Sequence, residues 1–216
     1  MKIYAHRGFS HKFPEATRAA YEAAIGAGAD GLECDIRLTS DLVPICFHDR
    51  NTKRIAGVNL SIALSSLSKL RSVMDLLTLE ELLQLAQDHQ SDLLIETKHP
   101  VRHGRRVERS VIELLQRYKV QATTMSFSLV ATLRFKRELS DVAYVVSRRW
   151  RLLWVPTEKV AIDIELFERS KWVRKRLQGR KVLLWTVNDE RYLPKLEEWQ
   201  IYGVITDRPD LPFRLR

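Results

Sequence analysis

The chain has 216 residues, 45% of them hydrophobic and 29% charged, with a formal net charge of +9. This is length enough for one domain with a sizeable core, residues 1–216 together, and the composition excludes a disordered, collagenous or disulfide-rich secreted protein. No run of about 18 apolar residues is present to span a bilayer, and His6 and Arg7 come too early for a secretory signal, so a cytoplasmic location is expected.

Ile3-Tyr4-Ala5 reads as a short strand ending in His6-Arg7-Gly8. Gly8 allows a sharp turn. A histidine exchanges a proton near neutral pH, and an arginine can fork onto a phosphate. Pro14 is expected to open an alanine-rich helix that Gly28 caps. In residues 31–37, Leu32, Cys34 and Ile36 alternate with Glu33, Asp35 and Arg37, the period of a strand. Two carboxylates and a guanidinium then share one face, which is costly to bury uncompensated. Either that face is a solvated edge, or the carboxylates hold a divalent cation. Strand, helix and strand in this order imply parallel pairing.

The next strand, 43–49, follows after a few residues, whereas a parallel crossover needs about a dozen. A hairpin is expected, with facing residue numbers summing to about 82. That register sets His48 opposite Cys34, beside Glu33 and Asp35. Cys34 and Cys46 are expected to be free buried thiols. Residues 50–77 follow neither structural period and read as a small insertion after the third strand, a lid with one short helix. Thr78-Leu79-Glu80-Glu81 is a capping box that opens a helix to about His89.

In the strand 92–98, Leu94, Glu96 and Lys98 share a face, either as a buried ion pair or as a further metal ligand beside a phosphate-binding ammonium. Beyond it the period keeps switching: helix 105–118, strand 122–126, helix to Leu139, strands 143–146 and 160–164, helix to Leu177, strand 182–187, a helix capped by Asn188-Asp189, and strand 203–207. Repeated β/α units imply a parallel sheet, open or closed into a barrel. Nine strands are expected where a barrel needs eight, so one is surplus or belongs to the hairpin.

The excess positive charge favours an anionic partner: a phosphate ester, an acidic membrane surface or nucleic acid. Arg148-Arg149-Trp150-Arg151 with Trp154 either meets an anionic interface or packs its indoles on the barrel. Arg169 to Lys181 form a basic cluster whose default reading is a solvated helix face. No specific nucleic-acid motif is present, and the oligomeric state is not legible.

Taken in order, His6-Arg7-Gly8, Pro14-Glu15, Glu33-x-Asp35, His48-Asp49, Glu96-x-Lys98, Trp185-Thr186-Val187-Asn188 and Thr206-Asp207-Arg208-Pro209 resemble the glycerophosphodiester phosphodiesterase family over nearly the whole chain. The resemblance implies an α/β fold, a TIM-type (β/α)8 barrel with the site at the C-terminal strand ends. It implies a divalent metal ion, Mg²⁺ or Ca²⁺, on Glu33, Asp35 and Glu96. It implies His6 and His48 as the acid/base pair, Arg7 and Lys98 on the substrate phosphate, and Glu15 and Trp185 at the pocket. The family cleaves glycerophosphodiesters to sn-glycerol 3-phosphate and an alcohol; a lysophospholipase D and a non-catalytic barrel that binds anionic lipid or nucleic acid are the alternatives. The chain departs from the family pattern twice. Ala16 stands where the family usually has Asn, and the 50–77 insertion is shorter than in many relatives.

Overall fold

The structure, a computed structural model, describes residues 1–213. Strands β1 (Lys2–His6), β2 (Gly31–Leu38) and β3 (Pro44–Cys46) open the chain, with helix α1 (Arg18–Gly26) between the first two. Short helices α2 (Lys53–Ala56) and α3 (Leu67–Arg71) flank a 3-10 turn at Ile62–Leu64 and lead to α4 (Leu79–Asp88). Then β4 (Asp92–Thr97), α5 (Arg106–Leu115), β5 (Ala122–Ser126), α6 (Leu129–Glu138) and β6 (Val142–Val146) alternate. The chain continues through β7 (Lys159–Asp163), α7 (Ile164–Arg169), α8 (Lys171–Leu177), β8 (Lys181–Trp185), α9 (Leu193–Glu198) and β9 (Gly203–Thr206).

Eight strands run parallel, and β1 pairs with both β2 and β9, which closes them into a TIM-type barrel. The ninth strand, β3, lies antiparallel on β2 with Ile36 opposite Cys46 and Arg37 opposite Ile45, so paired numbers sum to 82 as expected. The link from β6 to β7 carries a 3-10 helix, Arg149–Leu153, in place of an α-helix.

Tyr4, Leu94, Met125, Ala143, Val145, Ala161, Leu183 and Ile205 fill the barrel interior. The strand period sends Leu32, Cys34 and Ile36 outward, into a layer with Tyr21 of α1, Leu82 of α4 and Val111 of α5. Each fully buried leucine there contributes about 2 kcal/mol of transfer free energy. Both faces of β2 are therefore covered, and a solvated edge is excluded. Gly31 has a steric cause: a Cβ would stand 2.6 Å from the Asp92 carbonyl oxygen and 2.7 Å from the Tyr4 ring. Cys34 and Cys46 are buried and free. The Thr78–Glu81 capping box forms as expected, with the Thr78 amide donating to Glu81 Oε2 at 2.8 Å.

The helix after His6-Arg7-Gly8 begins at Arg18, not at Pro14. Ala16 has φ +60°, which breaks the helix before Thr17, and Thr17 Oγ1 caps it by accepting from the Ala20 amide at 3.2 Å. The helix expected to reach Leu177 is two helices, because Asp163 caps the first and Ser170 starts a second. Residues 50–77 carry two short α-helices rather than one. No helix among the described residues is long and apolar enough to cross a membrane.

Candidate active site

The C-terminal ends of four neighbouring strands bring together the residues singled out in the sequence. His6 and Arg7 leave β1, Glu33 and Asp35 lie on β2, and Glu96 and Lys98 lie at the end of β4. His48 arrives two residues past β3, where the Phe47 amide donates to the Asp35 carbonyl at 2.8 Å and continues the hairpin register. All seven line one cavity of about 190 Å³, with Met125, Phe127 and Trp185 forming an apolar wall. Trp185 packs edge-on against Phe127 with centroids 5.6 Å apart. Glu15 stands behind this cavity, 3.2 Å from Arg7 Nη1. Arg37, on the same face of β2 as the two acids, turns aside and donates from Nε to the His48 carbonyl at 2.8 Å.

The turn after β1 is tight. The Arg7 amide, at φ +56°, donates to the Glu33 carbonyl at 3.0 Å. Gly8 follows at φ +83°, where a Cβ would come within 2.6 Å of the Ala20 backbone. Only glycine lets the loop pass α1 this closely, and the pass is what aims His6 and Arg7 inward.

Three buried carboxylates meet two cations. Glu33 is 2% exposed, Asp35 3% and Glu96 6%. Lys98 Nζ bridges Asp35 Oδ1 at 2.8 Å and Glu96 Oε1 at 2.6 Å, and Arg7 Nε stands 2.8 Å from Asp35 Oδ2. Burial alone would raise the Asp35 carboxyl, but Lys98 and Arg7 outweigh it and bring it down to about 2. Glu33 goes the other way: burial, then Asp35 and Glu96, push it well above the usual carboxylate range. Burial and the Asp35 charge push Glu96 up to about 7 despite Lys98. With all three acids ionised, one negative charge would be in excess of Arg7 and Lys98, and two of the three resist ionising.

A divalent cation fits this deficit. Despite the short approach, the Arg7–Asp35 pair lacks hydrogen-bond alignment, so Asp35 Oδ2 is buried with no hydrogen-bond partner. Ligand atoms of His6, Glu33 and Asp35 lie within 4.8 Å of one another. Hard oxygen donors around an uncompensated charge suit Mg²⁺ or Ca²⁺. Glu96 belongs to the same cavity, but its Oε1 is engaged by Lys98.

Each cavity histidine leans on a carboxylate. His6 Nδ1 lies 2.7 Å from Asp207 Oδ1, and His48 Nδ1 lies 2.7 Å from Asp49 Oδ1. Burial would raise Asp207, yet hydrogen bonds from His6, Asn188 and Ser10 bring it down to about 2. Asp49 is likewise held low, against burial, by Arg54 and His48. Ionised carboxylates only accept hydrogen bonds, so both imidazoles carry their proton on Nδ1 and leave Nε2 for chemistry. Burial, followed by the Arg7 and Lys98 charges, keeps the His48 pKa below the ordinary value against Asp35 and Asp49.

Asp49, Asp207 and Asn188 support the site, although the sequence points to none of them as site residues. Asn188 was expected to help cap a helix; Asp189 does that, accepting from the Arg191 amide at 2.9 Å. Asn188 instead donates to Asp207 Oδ2 at 2.5 Å and accepts from the Asp207 amide at 2.8 Å. The available signal was position: each of the three follows a strand end closely.

The sequence model of the glycerophosphoryl diester phosphodiesterase family matches residues 6–211. A Mycobacterium tuberculosis protein named "Probable glycerophosphodiester phosphodiesterase 1" is 30% identical over 96% of this chain and 89% of its own length. The crystal structure of a Thermotoga maritima glycerophosphodiester phosphodiesterase superposes with a TM-score of 0.86 at 27% identity, covering 99% of this chain and 97% of that one. An Oleispira antarctica phosphodiesterase, solved with the product sn-glycerol-3-phosphate, superposes with a TM-score of 0.85 at 24% identity, covering 97% and 94%. The chain belongs to the glycerophosphoryl diester phosphodiesterase family and is a phosphoric diester hydrolase.

Proposed function

We propose that the enzyme hydrolyses glycerophosphodiesters to sn-glycerol 3-phosphate and an alcohol, with a divalent metal ion and with His6 and His48 as the acid/base pair. One observation carries this reading: two carboxylate-anchored imidazoles face the same cavity as three buried acids. Glu33, Asp35 and Glu96 would hold Mg²⁺ or Ca²⁺, which when bound supplies positive charge to a phosphoryl group gaining negative charge. The charges suit the substrate. With a divalent ion the excess becomes positive, and a phosphodiester monoanion neutralises it.

Arg7 and Lys98 bind the phosphate oxygens and stabilise charge that builds on them. Both are already positioned by ion pairs and need little reorganisation. One imidazole takes a proton from the attacking hydroxyl at its free Nε2; the other enters the reaction as the imidazolium, with Nδ1 still on its carboxylate, and gives its Nε2 proton to the departing alkoxide. Phe127 and Trp185 exclude water from one side. The attacking hydroxyl is water, or it is the substrate's own glycerol 2-hydroxyl, in which case the alcohol leaves first and water then opens the cyclic phosphodiester to sn-glycerol 3-phosphate. The product held by the Oleispira antarctica relative supports the glycerol phosphate half of the substrate.

Residues 1–216 act as one domain, with 50–77 as a small lid at the rim. Arg54 supports this: it donates to Glu15 at 2.7 and 2.8 Å and to Asp49 at 2.6 Å, tying that segment to both histidine loops. A second reading, a lysophospholipase D, is favoured by one feature, the exposed indoles of Trp150 and Trp154 on the link after β6. Turnover of glycerophosphocholine against lysophosphatidylcholine, with sn-glycerol 3-phosphate measured as product, tests the choice. Cleavage of the first with release of sn-glycerol 3-phosphate is expected. Cleavage of the lysolipid alone would reject the first reading in favour of the second.

A further inference from the structure

The link between β6 and β7 holds a group of large apolar side chains in water. Trp150 is 63% exposed, Leu153 70% and Trp154 55%, and Trp172 at the start of α8 is 43% exposed. The indoles do not pack on the barrel, one of the two outcomes open from the sequence. Residues three apart in a 3-10 helix eclipse one another, so Trp150 and Leu153 share a face. Trp172 belongs to the same surface. The Arg149 guanidinium lies 5.7 Å from its ring, and Arg176 Nη2 donates to the Leu153 carbonyl at 3.4 Å. Single exposed apolar residues need no explanation, whereas a contiguous patch of three indoles and a leucine marks an interaction site.

The surrounding charge states the partner's chemistry. Arg148, Arg149, Lys171, Lys175 and Arg176 are exposed, and no ion pair among the described residues engages any of them. The acids of nearby α7 are already occupied, Glu165 by Arg169 at 3.1 Å and Glu168 by Lys195. Indoles settle at the headgroup level of a bilayer, and lysines and arginines beside them meet lipid phosphates.

The patch also adjoins the cavity. It begins just past the C-terminal end of β6, the barrel end that carries the catalytic groups. Arg151, next to Trp150, donates to the Phe127 carbonyl, and Phe127 lines the cavity. We propose that Trp150, Leu153, Trp154 and Trp172, ringed by these five cations, dock the enzyme on an anionic lipid bilayer with the cavity beside the headgroups. The electrostatic share comes from cations near the surface, and the indoles supply insertion.

Binding is read without turnover, so this proposal and the reaction proposed above fail separately. The test is flotation of the full chain with vesicles of phosphatidylcholine alone and of phosphatidylcholine with phosphatidylglycerol. The wild type is expected to float with the anionic vesicles and to stay behind with the neutral ones. Trp150→Ser/Trp154→Ser and, separately, Arg148→Glu/Lys175→Glu should each lower the bound fraction about tenfold. Both variants should keep the wild-type far-ultraviolet circular dichroism spectrum and a cooperative thermal unfolding transition, which shows that they fold. No flotation of the wild type, or flotation that survives both variants, would overturn the proposal. So would a wild-type dimer in sedimentation that Trp150→Ser/Trp154→Ser converts to monomer, since a second copy would then be the occupant.

Discussion

His6 Nδ1 meets Asp207 Oδ1 at 2.7 Å across 201 residues of chain, because barrel closure sets β1 beside β9. The contact decides which imidazole nitrogen is free. Asp207→Asn keeps the size but can present a donor where His6 already donates, and the tautomer is lost. A fall in kcat of about 10²- to 10⁴-fold is expected, with KM little changed. Steady-state kinetics check this, and an unchanged kcat would remove Asp207 from the mechanism.

The same carboxyl gives a signed pH dependence. Its folded pKa, about 2, lies below the ordinary 3.8. The stability it contributes is therefore complete above about pH 4 and is lost as pH falls through about 2. Wild type and Asp207→Ala should differ most in unfolding free energy near neutral pH, and the gap should close between about pH 4 and pH 2. Denaturant titrations across that range measure it; a constant gap would mean that Asp207 acts through packing alone.

Glu33 separates the cost of burial from the use of charge. Burial, then the Asp35 and Glu96 charges, push its carboxyl well above the usual range, so without metal ionising it costs far more than for an exposed glutamate. Glu33→Gln should then leave the melting temperature of EDTA-treated protein nearly unchanged. Added Mg²⁺ or Ca²⁺ should raise the wild-type melting temperature with release of protons, and should not raise that of the variant. Equal stabilisation of both proteins would place the ion elsewhere.

Ala16 is a stability defect with a simple remedy. Its φ of +60° lies in the left-handed region, where a Cβ costs about 1 to 2 kcal/mol. The family's usual Asn at this place tolerates that conformation better than Ala. Ala16→Gly should stabilise the fold by about 1 kcal/mol, with activity retained. Chemical denaturation reads the difference; a destabilised variant would show that the Ala16 side chain packs for more than its backbone costs.

Arg54 ties α2 to both supporting loops through Glu15 and Asp49. Arg54→Ala should lower turnover about tenfold while leaving the barrel folded, since Asp49 would lose the partner that holds it against His48. Kinetics with a circular dichroism control check this, and full activity would free the lid segment from any part in positioning His48.

Much of this was legible in local patterns. The alternation in 31–37 and the brief link to Val43 pointed to a hairpin with pairing sums near 82, and the observed β2–β3 register has that sum. The Thr78–Glu81 box marked the start of α4, and the strand-end positions of His6, Glu96 and Lys98, with the resemblance that groups them with Glu33, pointed to a shared cavity. What stayed hidden depends on the folded backbone or on distant neighbours. The left-handed turn at Ala16 displaced the start of α1, and no local period records it. Asn188 looked like a helix cap because its partner, Asp207, comes 19 residues later. Whether Trp150 and Trp154 face the barrel or water is set by a 3-10 link that replaces an α-helix, a choice that local periodicity does not show.

The most direct measurement is release of sn-glycerol 3-phosphate from glycerophosphocholine by EDTA-stripped enzyme before and after Mg²⁺ or Ca²⁺ is restored, for the wild type, His6→Ala and His48→Ala. Turnover should return with metal in the wild type alone, both variants remaining folded and at least about 10²-fold slower. Metal-independent turnover, or near-normal rates in both histidine variants, would contradict the assignment of the cavity as a metal-assisted, two-histidine phosphodiesterase site.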